Sequence, residues 1–265
     1  MQIKALIFDL DGVIYLGRTI IPGAAEAIDY ARKKGIGTYF LTNAGTRSRI
    51  GRVERLKEFK IVAKENEVYT SSYLVARYIL THYTNKNKTP NVFYIGEKGI
   101  REELEKAKIE ISDGPANSKP NIVVVGLERR VTYERLGLAF RALINGADFI
   151  ATNTDSTFPI EDGLLPGAGA FVKFLEYSSG KKPIIVGKPS TYAIETMLQE
   201  HKLKKDEVAI VGDRLDSDIE VGKKAGIHTI LVLSGVTNVK DLEKLSKKEM
   251  PDQVIESIAE LNKII

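Results

Sequence analysis

The chain has 265 residues, 43% hydrophobic and 28% charged with a formal net charge of +4, enough for a full core and two domains of ordinary composition. It contains no cysteine, which excludes disulfides, thiolate catalysis and cysteine-based zinc sites. No apolar stretch approaches a membrane span, and the lysines and arginines are interspersed with acids, so neither a membrane nor a nucleic acid is an expected partner. Met1 leads almost directly into an apolar run without a signal-like leader, and a cytoplasmic location is expected.

Residues 3–8 form the first apolar run, rich in branched side chains, and read as a buried strand ending in Asp9-Leu10-Asp11-Gly12. A helical pattern over 24–34 stops at Gly35, and a second strand, 36–41, leads into Thr42-Asn43-Ala44-Gly45. Residues 47–59 carry Ile50, Val53 and Leu56 on one helical face. A short strand at 68–70 enters a helix beginning near Ser71. Residues 81–90, with Asn85, Lys86, Asn87 and Lys88 in succession, read as a linker.

A second alternating set follows: strands 91–96 and 121–126 with a helix 97–107 between them, a helix 132–145, and a strand 148–152. Residues 153–166 read as a loop opening a helix to Tyr177. The earlier style resumes with strand 184–186, Gly187-Lys188-Pro189-Ser190 and a helix to His201. Strand 208–211 then leads into Gly212-Asp213-Arg214-Leu215-Asp216-Ser217-Asp218 and a helix ending at Gly226. Strand 229–233 and a terminal helix through Ala259 close the chain. Right-handed βαβ units imply an α/β fold, a Rossmann-like three-layer core with one parallel sheet and helices on both faces. The middle block reads as an inserted α/β cap: core 1–81, cap 82–182, core 183–265.

Ligands of parallel sheets gather beyond the carboxyl ends of the strands. Four such ends supply Asp9 and Asp11; Thr42 with the amides of Asn43 and Ala44; Lys188; and Asp213 with Asp218. Two carboxylates about 4 Å apart repel by roughly 4 kcal/mol at an effective dielectric of about 20. Several in one pocket require protonation or a cation, and hard oxygen ligands without histidine or cysteine point to Mg²⁺. The lysine, hydroxyl and amides suit a phosphoryl group, and a free carboxylate can serve as nucleophile.

In this order the motifs resemble those of the haloacid dehalogenase superfamily of phosphatases, and more closely its NagD-like or 4-nitrophenylphosphatase branch. The carrying segments are Asp9-Leu10-Asp11-Gly12-Val13-Ile14-Tyr15, Thr42-Asn43, Gly187-Lys188-Pro189-Ser190 and Gly212-Asp213-Arg214-Leu215. Ala151-Thr152-Asn153-Thr154-Asp155 with Phe158-Pro159 and Pro166-Gly167-Ala168-Gly169 are similar in the cap. The resemblance implies Asp9 as nucleophile, forming an aspartyl-phosphate, and Asp11 as acid then base. It implies Mg²⁺ held by Asp9, the Asp11 carbonyl and Asp213, with Asp218 in support, and the phosphoryl oxygens held by Thr42, Asn43 and Lys188. Ala44 stands where the branch often has a second Asn, which leaves a backbone contact there. Small phosphorylated metabolites are the implied substrates, and caps of this branch can mediate homodimers. A phosphomutase or phosphotransferase on the same core, or a non-catalytic module sensing phosphometabolites, are the alternatives.

Overall fold

The computed structural model describes residues 3–83, 89–114, 119–160 and 163–265. The chain divides into two compact units: Met1–Thr42, Val53–Tyr69 and Lys188–Ile265 form one, and Asn43–Arg52 and Thr70–Gly187 the other. The expected linker residues 84–88 lie outside the described residues.

The first unit is built on a six-stranded sheet in the order Gln253–Ile255, His228–Val232, Val208–Gly212, Ala5–Phe8, Gly37–Thr42, Val68–Thr70. From Gln253–Ile255 through Gly37–Thr42 every neighbour is parallel. All four residues of Ala5–Phe8 are buried, as a strand covered on both faces requires. On one face Leu6 and Phe8 pack with Ile28 and Ala31 of the helix Ala24–Lys33. On the other, the helix Glu220–Ala225 comes so close that a Cβ at Gly222 would lie 2.4 Å from Thr229 Cγ2 and 2.8 Å from Ile210 Cγ2. Each large side chain buried this way contributes about 1.5–3 kcal/mol.

The second unit has a parallel five-stranded sheet in the order Ile184–Ile185, Asp148–Ala151, Ile122–Val125, Asn91–Ile95, Glu110–Ile111. Helices Tyr133–Ile144 and Ala168–Ser179 place Ala139, Leu143, Val172 and Leu175 against Phe93, Val123, Val125 and Phe149. Thr132 caps the first of these helices, its hydroxyl accepting the Arg135 N–H at 3.2 Å.

The structure departs from the sequence reading in four places. Ile184–Ile185 pairs with Asp148–Ala151 in the second unit's sheet, not in the core sheet; a short apolar run defines a strand but not its neighbour. The units also divide elsewhere than at residues 81 and 183. Segment 43–52 joins the second unit, where the Gly99 N–H donates to the Thr46 carbonyl at 3.3 Å, and Tyr83 of the helix Ser71–Tyr83 donates to Asp148 Oδ2 at 2.9 Å. The expected loop 153–166 contains an antiparallel hairpin, Thr157–Ile160 with Gly163–Pro166; its prolines suggest a loop but are tolerated in edge strands. The expected terminal helix is instead a short helix, Val239–Leu242, the sixth strand Gln253–Ile255 and a 3₁₀ turn, Ile258–Lys263. Pro251 cannot continue a helix, and the β-branched Val254 and Ile255 favour the strand. Among the described residues no helix is long and apolar enough to cross a membrane.

Gly222→Ala is expected to overpack this contact and cost about 1–3 kcal/mol, lowering the melting temperature by several degrees. Adding Thr229→Ser, which removes Cγ2 but keeps the hydroxyl that donates to Asp252 Oδ2 at 2.7 Å, should restore part of the loss. Thermal melts of the single and double variants check this; equal melting temperatures would contradict the packing argument.

Candidate active site

Three neighbouring strands of the first unit end together, with Phe8 paired to both Val211 and Phe40. Asp9 follows the central strand, its N–H donating to the Val211 carbonyl at 2.9 Å, and Asp213 follows the strand Val208–Gly212. Thr42, buried, is the last residue of Gly37–Thr42. Asp218 lies in the π-helical turn Leu215–Ile219, where its Oδ2 accepts the Arg214 N–H at 3.1 Å.

Lys188 ties these pieces together. Its Nζ donates to Asp9 Oδ1 at 2.6 Å, to Asp218 Oδ1 at 2.5 Å and to the Leu41 carbonyl at 3.4 Å. The ammonium is buried, as are all three acids. Burial opposes its charge, but the Asp218 and Asp9 carboxylates outweigh that effect and hold it well above the ordinary lysine range. Burial drives the Asp9 carboxyl well above the ordinary range; Lys188 pulls it back, and Asp218 and Asp213 push it further up. Asp213 is pushed up to about 7, first by burial and then by the Asp218 charge, against the Val236 N–H that donates to its Oδ2 at 2.7 Å.

One oxygen each of Asp9, Asp213 and Asp218 lie within 4.8 Å of one another. Asp213 Oδ1 is buried and has no hydrogen-bond partner among the described residues. An orphaned carboxylate oxygen within an all-oxygen cluster lacking histidine and cysteine fits a hard divalent cation. Room for Asp213 depends on two glycines, because a Cβ at Gly12 would lie 2.4 Å from its Oδ2 and one at Gly235 only 2.0 Å.

Of the residues singled out from sequence, Asp9, Lys188, Asp213 and Asp218 converge. Asp11 is half-buried, and its carboxylate is outside the three-acid cluster. Asp216 pairs with Arg214 at the surface, through contacts of 3.0 and 2.9 Å. Asn43 and Ala44 group with the second unit. The Asn43 carboxamide donates to Asp155, at 3.1 Å from each carboxylate oxygen. Sequence reasoning missed the loop at Ser234, Gly235 and Val236, which positions Asp213 and whose Ser234 hydroxyl donates to the Gly12 carbonyl at 2.8 Å. The only available signal was a Ser-Gly pair just past a strand.

Residues 6–110 match the model of the haloacid dehalogenase-like hydrolase family, and residues 185–261 match a second, HAD-hydrolase-like model. The chain is 39% identical over 248 residues to an acid sugar phosphatase of Staphylococcus epidermidis, covering 94% of itself and 92% of that protein. A p-nitrophenyl phosphatase from Archaeoglobus fulgidus superposes with a TM-score of 0.91 at 35% identity over 100% of both chains. NagD from E. coli K-12 does so at 0.86 and 33% identity over 98% of both. A glycerol phosphate phosphatase from Mycobacterium tuberculosis, solved in complex with magnesium, gives 0.89 at 28% identity over 98% of this chain and 76% of that one. The chain belongs to the haloacid dehalogenase-like hydrolases, in their NagD-like and 4-nitrophenylphosphatase branch.

Lys188→Met leaves two buried carboxylates facing each other without their ammonium, an arrangement that costs about 3–5 kcal/mol when one partner of a buried pair is removed. The variant is expected to melt well below the parent at about pH 8 and to recover part of the difference at about pH 5, because burial and the neighbouring acids already drive the Asp9 carboxyl upward and a proton gained there relieves the pair as pH falls. Denaturation at the two pH values decides it; a deficit that does not depend on pH would contradict the electrostatic account.

Proposed function

We propose that the chain is a Mg²⁺-dependent phosphoric monoester hydrolase acting on small phosphorylated metabolites through an aspartyl-phosphate on Asp9. The observation that carries this reading is the buried cluster in which one ammonium, Lys188, serves Asp9 and Asp218 beside the orphaned oxygen of Asp213. A cluster with three acids and one base is under-neutralised when ionised, and it suits a divalent cation together with a phosphate dianion. The relatives' activities on sugar phosphate, nitrophenyl phosphate and glycerol phosphate support the same class of substrate.

In this mechanism a carboxylate oxygen of Asp9 attacks phosphorus, and the bond from phosphorus to the ester oxygen breaks. Asp11, two residues on, gives its proton to the departing alkoxide. Its carboxylate then removes a proton from water, whose oxygen attacks the aspartyl-phosphate, releasing inorganic phosphate and restoring Asp9. Lys188 holds Asp9 by charge-assisted hydrogen bonding and balances the negative charge of the phosphoryl oxygens. Thr42 Oγ1 and the backbone amides of Asn43 and Ala44 offer further donors. Asp9, the Asp11 carbonyl and Asp213 would hold the ion, with Asp218 directly or through water. Bound there, Mg²⁺ withdraws charge from the phosphoryl oxygens.

Asp9→Asn is expected to lower kcat on 4-nitrophenyl phosphate by at least about 10⁴-fold. Asp11→Asn should release a burst of nitrophenolate, a leaving group needing no proton, followed by slow turnover. On alkyl esters such as glycerol phosphate the same variant should show no burst and lose about 10²–10⁴-fold. Turnover that persists in Asp9→Asn would exclude the covalent route.

Metal-free stability carries a second test. Between about pH 4 and about pH 7 the unfolded chain has lost the Asp213 proton while the folded protein keeps it, so stability falls as pH rises through that window. Ion binding competes with that proton, so the rise in melting temperature on adding Mg²⁺ should be larger at about pH 7.5 than at about pH 5. A rise of equal size at both pH values, or none, would contradict the assignment of Asp213 to the ion.

A further inference from the structure

Within the second unit, Asp155 is held by side chains from both ends of its sequence. Asn43 Nδ2 donates to Oδ1 and Oδ2 of Asp155, both at 3.1 Å. Asn153 Nδ2 donates to the same Oδ2 at 2.8 Å, and the Thr152 hydroxyl fixes Asn153 by donating to its Oδ1 at 2.7 Å. The backbone of Asp155 is equally constrained. Its carbonyl accepts the Gly169 N–H at 3.0 Å, and a Cβ at Gly167 would lie 2.2 Å from that oxygen. At the other end of the contact, the Asn43 carbonyl accepts the Ser71 hydroxyl at 2.7 Å, and the Ala44 carbonyl accepts Arg52 Nη2 at 3.1 Å. Asn43 is therefore gripped at both its carboxamide and its carbonyl by residues far away in sequence.

We infer that Asp155 is a positioning residue for the reaction proposed above: by binding the Asn43 carboxamide it fixes the backbone that directly follows Thr42. The inference rests on that reading and refines it. The Asn43 carboxamide nitrogen is turned to the Asp155 carboxylate, 3.1 Å from each oxygen, so in this reading Asn43 serves the phosphoryl group through its main chain. Donors fixed before substrate arrives need no reorganisation during reaction, and a displacement of about 1 Å in such a group can cost about 10²-fold in rate. Loss of the Asp155 carboxylate removes the hydrogen bonds that hold the Asn43 side chain in this rotamer, and with them one restraint on the adjoining peptide.

The test is an exchange of donor and acceptor. Asp155→Ala is expected to lower kcat on 4-nitrophenyl phosphate about 10- to 100-fold with a smaller change in KM, at temperatures well below its own melting. Asn43→Asp alone sets two carboxylates against each other and should be impaired as well. Asn43→Asp combined with Asp155→Asn restores the hydrogen bond with its polarity reversed and leaves Asn153 an acceptor oxygen. It should return kcat to within about fivefold of the parent. A combined variant as impaired as Asn43→Asp alone would mean that the Asn43 carboxamide itself meets the substrate, which overturns the inference. A kcat within about twofold of the parent in Asp155→Ala, whatever its melting temperature, overturns it too. A parent protein that releases no phosphate, or releases it equally in the Asp9→Asn control, rejects the phosphatase reading and this inference together, whereas a contrary result in the exchange alone rejects only the inference.

Discussion

A single ammonium shared between two buried carboxylates governs this structure. Lys188 reaches Asp9 and Asp218 at 2.6 and 2.5 Å in a buried site, with Asp213 beside them. Removing such charges from water is tolerable only if they are paired, and the pairing here is incomplete. The shortfall appears as two raised carboxyl groups and one buried oxygen without a partner. The site thus holds an unmet demand for positive charge, which is what an enzyme handling a metal ion and a phosphate dianion needs.

The fold provides this arrangement through its parallel sheet. Adjacent parallel strands present their carboxyl ends on one edge, so Asp9, Thr42 and Asp213 come together although they lie far apart in the chain. Glycine makes the crowding sterically feasible. At Gly212, besides Gly12 and Gly235, a side chain would collide with the cluster, since its Cβ would lie 2.1 Å from Asp218 Cβ. The strands buried on both faces anchor the acids at fixed positions, so the electrostatic tension cannot relax by movement of the backbone.

Much of this was legible in the sequence because it is local. Apolar runs of four to eight residues ending in Asp, Thr or Gly-Asp announce both a buried strand and the polar group at its end. Asp9, Lys188, Asp213 and Asp218 could therefore be expected to meet. Features set by pairing between distant segments were not legible. Ile184–Ile185 reads as a strand, but nothing in two isoleucines after Pro183 says that Ile150 and Ala151 are its neighbours. The pairing of Thr157–Ile160 with Gly163–Pro166 was hidden by the prolines in these strands, and the loop that holds Asp213 through Val236 carries no motif. The bond from Asn43 to Asp155 spans 112 residues and uses side chains common in any loop.

The account stands or falls on whether the acidic cluster lacks one divalent ion. Calorimetric titration of Mg²⁺ into chelator-stripped protein at about pH 7.5 measures this directly. The charge deficit predicts a single ion bound per chain, lost in folded Asp213→Asn and held more weakly as the solution is acidified below about pH 7, where protons compete for Asp213. Absence of binding in the parent, or binding of undiminished strength in Asp213→Asn, would contradict it.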